Sequence, residues 1–270
     1  MEKKPTDIFI KEKVVTGARH REGGGVYLSV VIPAYNESQR IIPTLEAVDQ
    51  YLKKQDYSYE IIVVANNCTD NTVEVLLDQQ NKIQHLEIYD LEILKPGGGK
   101  GYAVKKGVEK SRGEYIVFMD ADNATKIDEI GNFWKFFKEG YSVVIGSRHI
   151  KGSKIVVQQP LHRRILGRVA NLVIRLLLLP GIHDTQCGFK AFTRDAGKKI
   201  FALSEIGGWG FDMELLALAR HFRYTVAEVP VSWYEAGDSR LRAVKAASST
   251  LSELFHIRNN IKTGYYDKKK

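Results

Sequence analysis

Glu114-Tyr115-Ile116-Val117-Phe118-Met119 runs straight into Asp120-Ala121-Asp122, an apolar run that admits few kinds of sheet. A strand with one wet face alternates apolar and polar residues, whereas this run is almost continuously apolar. Such a run belongs in a sheet covered on both faces. Ser29-Val30-Val31-Ile32 and Ile61-Ile62-Val63-Val64 have the same character.

Working outward, strands and helices alternate. Strands are predicted over 27–33, 60–65, 85–89, 114–119 and 141–146, with helices over 38–53, 70–80, 101–110 and 127–139. That rhythm gives βαβ units and a mostly parallel sheet flanked by helices, an α/β fold. Further on the pattern loosens into a basic helix over 160–179, a strand over 188–193, a helix over 210–221 and a strand over 225–231. A last amphipathic helix, 241–261, carries Leu241, Val244, Ser248, Leu251 and Phe255 at spacings of 3 and 4. The lysine-ending tail beyond it is expected to fray.

The chain has 270 residues, 44% hydrophobic and 27% charged, enough for one sizeable core and unlike a disordered or fibrous chain. Residues 1–25, ending in Gly23-Gly24-Gly25, read as a flexible N-terminal extension, 26–235 as the domain, and 236–270 as a C-terminal helix and basic tail. Two cysteines, Cys68 and Cys187, make neither a disulfide framework nor a structural zinc site. They point to a reducing compartment. The N-terminus has no signal-peptide pattern and no stretch reaches the roughly 20 apolar residues that span a bilayer. The expectation is a cytoplasmic protein that is soluble or touches a membrane peripherally.

Charge is unevenly placed. Arg148 to His183 holds seven basic residues and no carboxylate, and Ser239 to Lys270 has a net charge of +6, while the whole chain is only +8. The remaining 202 residues therefore carry −5. Two basic segments suit an anionic partner: nucleic acid, lipid headgroups or a phosphorylated substrate. Aromatic residues are scarce in both, against single-stranded nucleic acid. On a helix over 160–179, Arg164, Arg168, Asn171 and Arg175 form one stripe, with Leu166, Val169, Val173, Leu176 and Leu177 opposite. A helix lying in a membrane interface has this pattern. So does one packed on the core with its arginines in water.

In open parallel sheets, ligands bind beyond the carboxyl ends of the strands. Those ends carry Pro33-Ala34-Tyr35-Asn36-Glu37, Asn66-Asn67-Cys68-Thr69-Asp70, Asp120-Ala121-Asp122 and Ser147-Arg148. Paired carboxylates after a buried strand suit a hard divalent cation, Mg2+ or Mn2+, bridging a diphosphate. The competing reading makes them helix-capping residues ahead of Ile127. Lys95-Pro96-Gly97-Gly98-Gly99-Lys100-Gly101 lacks the Ser/Thr of a P-loop and holds no G-x-G-x-x-G, which removes the main support for kinase, ATPase and dehydrogenase chemistry.

These motifs, in this order, resemble family 2 glycosyltransferases of the GT-A fold. The set comprises Ile32-Pro33-Ala34-Tyr35-Asn36-Glu37, Asp120-Ala121-Asp122 and Asp184-Thr185-Gln186-Cys187-Gly188-Phe189-Lys190, with Gly99-Lys100-Gly101, Gly146-Ser147-Arg148, Trp209 to Glu214, Ser239-Arg240-Leu241 and Ile257 to Asn260. The branch they are most similar to is that of the dolichyl-phosphate β-glucosyltransferases and other polyprenyl-phosphate glycosyltransferases. The resemblance spans about residues 28–265. It implies that Pro33, Ala34, Tyr35 and Glu37 hold the nucleotide, with Asn66 near the base, and that Asp120 and Asp122 bind ribose and metal. Lys100, Arg148 and Gln186 would line the phosphates, Arg240 would reach an acceptor phosphate, and Asp212 stands where related transferases place a general base. Asp122, Asp212, Arg148 and Arg240 are thus the candidate catalytic residues.

The chain departs from the family where Ala65-Asn66 replaces an Asp-Asp pair, which bears on the identity of the nucleotide. The implied activity is metal-dependent, inverting transfer of a hexose, glucose from UDP-glucose, to a polyprenyl or dolichyl phosphate at the cytoplasmic membrane face. Transfer to a glycan hydroxyl, a sugar-1-phosphate nucleotidyltransferase, and a non-catalytic membrane-binding protein are the alternatives. Asp212 and Glu214 could instead charge the first turn of a helix, Trp209 and Phe211 read as packing residues, Cys187 as a buried filler, and His162 and His183 as surface or helix-end residues.

Overall fold

The computed structural model describes residues 10–16, 25–93, 99–156, 169, 171–234 and 243–269. Its strands are β1 (Ile10–Thr16), β2 (Leu28–Ala34), β3 (Tyr59–Asn66), β4 (Leu86–Ile93), β5 (Tyr115–Met119), β6 (Val143–Ser147), β7 (Lys154–Ile155), β8 (Phe189–Thr193), β9 (Val226–Pro230) and β10 (Ser232–Trp233). The helices are α1 (Ile41–Leu52), α2 (Thr72–Gln80), α3 (Lys100–Lys110), α4 (Trp134–Lys138), α5 (Arg194–Leu203), α6 (Phe211–His221) and α7 (Ala243–Lys262). One sheet of eight strands has the order β1-β4-β3-β2-β5-β8-β6-β9. Six of its strands run in one direction, and β1 and β8 oppose them. This is the mostly parallel α/β sheet that the apolar runs required.

Alternate residues of each run enter opposite cores. Val30, Ile32, Ile61, Val63, Val117 and Met119 face the layer of α1 and α2. Val31, Ile62, Val64, Ile116 and Phe118 face the layer of α3, α5, α6 and α7. Helix α3 lies so close that a Cβ on Gly107 would fall 2.3 Å from Val31 Cγ1.

Four readings of the sequence need correction. Ile10–Thr16, inside the stretch read as a flexible extension, pairs antiparallel with β4; alternating charges conceal it as an edge strand. The 127–139 helix is split into a 3-10 turn, Ile127–Asn132, followed by α4. In α7, Leu254 and Ile257 are buried while Leu251 and Phe255 are exposed, so the core takes the other apolar stripe. The tail does not fray. Tyr266 is buried and donates a 2.8 Å hydrogen bond to Glu214 Oε1, while Asp267 meets His221 at 2.8 Å.

Glu214 Oε2 accepts the N–H groups of Glu205 and Ile206, so Tyr266 completes the bonding of a fully buried carboxyl. Tyr266→Phe should lower stability by about 1–3 kcal/mol, the usual penalty for leaving a buried polar group short of a partner. Urea unfolding checks this; an unchanged midpoint would dismiss the tail as an anchor.

Candidate active site

The carboxyl ends of β2, β3, β5 and β6 open on one edge of the sheet, and three of the four turn sharply. Asn36, Asn67 and Asn123 adopt left-handed φ values of 53°, 51° and 56°, a region that asparagine tolerates better than most side chains. In the sequence, an asparagine just past each strand is the only visible mark of these turns.

The loops after β2 and β3 are laced together. Asn36 Oδ1 accepts Thr69 N–H at 2.7 Å, and Thr72 Oγ1 accepts Glu37 N–H at 2.8 Å. Glu37 also forms a two-pronged pair with Arg40, at 2.7 and 2.8 Å. Pro33 and Ala34 are buried, whereas Tyr35 is exposed. Asn66 is buried, and its Oδ1 has no hydrogen-bond partner among the described residues.

Asp120 and Asp122 do not cap the turn that begins at Ile127: its N-cap residue is Lys126, whose side chain makes no capping bond. Instead Asp120 O accepts Asn123 N–H at 3.4 Å, and Asp122 Oδ1 accepts Ala124 N–H at 3.0 Å. Burial and the neighbouring Asp120 charge raise the Asp122 carboxyl above the usual carboxylate range. Lys100, the first residue of α3, reaches Asp120 Oδ1 at 2.6 Å. Burial works against the Lys100 ammonium, but Asp120, Asp212 and Asp122 more than offset it and hold it above the ordinary lysine value. A Cβ on Gly188 would sit 2.0 Å from Asp120 Oδ2, so only glycine lets the 184–188 turn pass this carboxylate.

A divalent cation suits this pair. Two carboxylates one residue apart, one of them resisting ionisation, would be favoured by a bound divalent cation. Among the described residues no three His, Cys, Asp or Glu side chains gather around one point. The remaining positions would fall to substrate oxygens and water, as is usual for Mg2+. Beside Asp122 opens a cleft of about 410 Å³ bounded by Arg40, Thr44, Lys126 and Tyr234.

Arg148 follows β6 and is locked to Asp184 by bonds of 2.7 and 2.9 Å from Nε and Nη2, while its backbone N–H adds a third at 2.9 Å. Burial would raise the Asp184 carboxyl, yet the guanidinium holds it well below the usual carboxylate range. Gln186 is exposed at the same turn, and its N–H contacts Asp184 Oδ1 at 3.3 Å. Arg240 lies outside the described residues, as do Lys95 to Gly98, His162, Arg163, Arg164 and Arg168.

Asp212 and Glu214 do lie in the first turn of α6, but both are buried. The residue before α6 is Gly210, with no side-chain cap, and the Asp212 carboxylate is buried against Lys190 Nζ at 2.5 Å. Burial raises its carboxyl above the usual range, with Lys190 and Lys100 pulling the other way. Glu214 serves the 205–206 backbone instead. Trp209 is 46% exposed, contrary to the packing role expected of it, and its ring lies 5.6 Å from Lys100 Nζ; Phe211 is buried as expected. Cys187 is a buried filler whose thiol burial pushes up to about 11. His183 lies beside Glu228, 2.8 Å from Nδ1 to Oε2.

The basic-helix region departs from expectation at Asn171, while its exposed apolar residues are those that a helix in a membrane interface would present. Asn171 does not join a wet stripe, because its side chain donates to His183 O and accepts from Thr185. Val169, Leu172 and Leu176, spaced by 3 and 4, are exposed, Leu176 to 72%. Ile174 and Leu179 are buried.

The chain matches the family described as Glycosyl transferase family 2 over residues 29–201. It is 42% identical to a dolichyl-phosphate beta-glucosyltransferase of Trichomonas vaginalis, covering 80% of this chain and 66% of that protein. The human protein of that name is 32% identical, with coverages of 88% and 76%. The Saccharomyces cerevisiae one is 33% identical, with coverages of 93% and 80%. In fold it is similar to glucosyl-3-phosphoglycerate synthase from Mycobacterium tuberculosis, solved with phosphoglyceric acid, at TM-score 0.64 and 19% identity, covering 89% of this chain and 86% of that one. The same synthase with Mn2+, uridine-diphosphate and glucosyl-3-phosphoglycerate gives TM-score 0.61 and 20% identity, covering 88% and 85%.

Proposed function

The chain belongs to glycosyl transferase family 2, and from that premise we propose that it moves glucose from UDP-glucose to a dolichyl or other polyprenyl phosphate with inversion at the anomeric carbon. The observation that carries this reading is the carboxylate pair at the end of β5, with Lys100 held against Asp120 and Asp122 facing an open cleft. The glucose and the lipid phosphate are those in the names of the similar beta-glucosyltransferases.

The chemistry is governed by charge. Asp120 and Asp122 would hold Mg2+ or Mn2+, which when bound neutralises the departing diphosphate. Lys100, held against Asp120 and favoured by the Asp212 charge, presents a second cation to the same phosphates. Asn66 Oδ1 offers an acceptor to the base, and Tyr35 a ring. An acceptor phosphate monoester has its second pKa near 6, so it arrives largely ionised and needs no base. Arg148, Gln186 and Arg240 would flank it. In this reading Asp212 positions Lys100; with a hydroxyl acceptor it would have to take a proton.

The lipid acceptor implies a membrane surface. Exposed Val169, Leu172, Leu176, Leu251 and Phe255, together with the two basic segments, suit shallow burial among anionic headgroups. No helix of the described residues is long and apolar enough to cross a membrane. Free thiols at Cys68 and Cys187 favour the reducing, cytoplasmic face.

Purified protein incubated with radiolabelled UDP-glucose, GDP-mannose or UDP-GlcNAc, Mg2+ and a short polyprenyl phosphate should yield butanol-extractable label from UDP-glucose. Label appearing only in a soluble glycan would refute the lipid acceptor. With the acceptor in anionic vesicles, Leu172→Glu/Leu176→Glu should slow transfer while leaving activity in detergent intact; equal loss in both settings would refute membrane docking.

A further inference from the structure

A lysine is almost never fully buried unless something holds its charge, and Lys190 on β8 is 0% exposed. In the sheet register it lies between Phe118 of β5 and Ile145 of β6, close to the end of β5 that carries Asp120. Its Nζ donates to Asp212 Oδ1 at 2.5 Å and to Cys187 O at 2.6 Å. The ammonium is therefore gripped by the start of α6 on one side and by the 184–188 turn on the other. The start of α3 packs on the start of α6: a Cβ on Gly101 would fall 2.8 Å from Phe211 Cβ, and Lys100 Nζ lies 5.8 Å from the Phe211 ring, where the Asp212 charge favours the Lys100 ammonium.

A purely structural charge pair here would be a poor choice, since apolar residues of similar volume usually serve a core as well or better. A pair that fixes a carboxylate toward the reacting groups has a reason to persist. We propose that Lys190 is a positioning residue for glycosyl transfer that acts through Asp212, fixing its carboxylate so that Lys100 is aimed at the donor phosphates. This rests on the proposed transfer of glucose to a lipid phosphate.

The test compares wild type, Lys190→Met, Asp212→Asn and the double variant, using radiolabelled UDP-glucose, Mg2+ and a polyprenyl phosphate, with melting temperatures alongside. Lys190→Met should lower kcat about 100-fold, the scale of a small misplacement in a reaction site, with donor KM within about 3-fold. It should also melt lower, because Asp212 is left buried without its ammonium. The double variant, with no charge to bury, should regain melting temperature and match Asp212→Asn in kcat, as residues acting as one unit do. A folded Lys190→Met with wild-type kcat overturns the proposal. A double variant about 100-fold slower than Asp212→Asn also overturns it, since losses at independent residues multiply. If Lys190→Met does not fold, the double variant against Asp212→Asn decides alone. A wild type that transfers no label refutes the glucosyl-transfer reaction itself; an active wild type with an equally active Lys190→Met refutes only the role of Lys190.

Discussion

Asp122→Asn is expected to lower kcat by about 10³-fold, roughly 4 kcal/mol of charge stabilisation withdrawn from the departing diphosphate. The melting temperature should hold or rise. A carboxyl whose folded value lies above its unfolded one costs stability at neutral pH, and Asp122 is such a group through burial and the nearby Asp120 charge. Asparagine keeps an oxygen for Ala124 N–H and removes that repulsion. Addition of UDP with Mn2+ should raise the melting temperature of the wild type and leave the variant unmoved. More than a tenth of wild-type activity in the variant would end the assignment of Asp122 as a cation ligand.

Arg148→Met should produce the largest loss of stability. It strands Asp184, whose side chain is 2% exposed, without its guanidinium; breaking one side of a buried pair costs about 3–5 kcal/mol. At about 2–4 °C per kcal/mol for a chain of this size, melting should fall by roughly 10 °C. Arg148→Met/Asp184→Asn should recover most of it, leaving a folded enzyme impaired at the phosphates. The sign with pH is set by Asp184, whose folded value is depressed. Its contribution is fully present above the unfolded value of about 3.9 and is lost as pH falls below that toward the folded value. The gap between wild type and Arg148→Met should therefore narrow as pH drops through about 4. A gap that widens in acid, or a double variant no more stable than the single, would refute the account.

Much of the candidate site was legible because strands that run in parallel put their carboxyl ends on one edge. Asp120, Asp122, Arg148 and the 33–37 loop stand out as the polar residues immediately C-terminal to the apolar runs. Three features escaped. Lys190 sits inside a strand, where a lysine reads as an edge or surface residue until its partner is known. Asp184 and Arg148 are 36 positions apart, and nothing local marks them as a pair. The second apolar stripe of α7 was visible in the letters, but choosing between two stripes needs the neighbour that covers one of them.

Local periodicity and motifs contiguous in the chain are enough to specify the doubly covered sheet, the order of its elements and the family. Tertiary structure alone decided which charges meet: Asp212 with Lys190, Asp120 with Lys100, Asp184 with Arg148. Coulomb energy and desolvation depend on distance and burial, and folding sets both between residues that the chain keeps far apart.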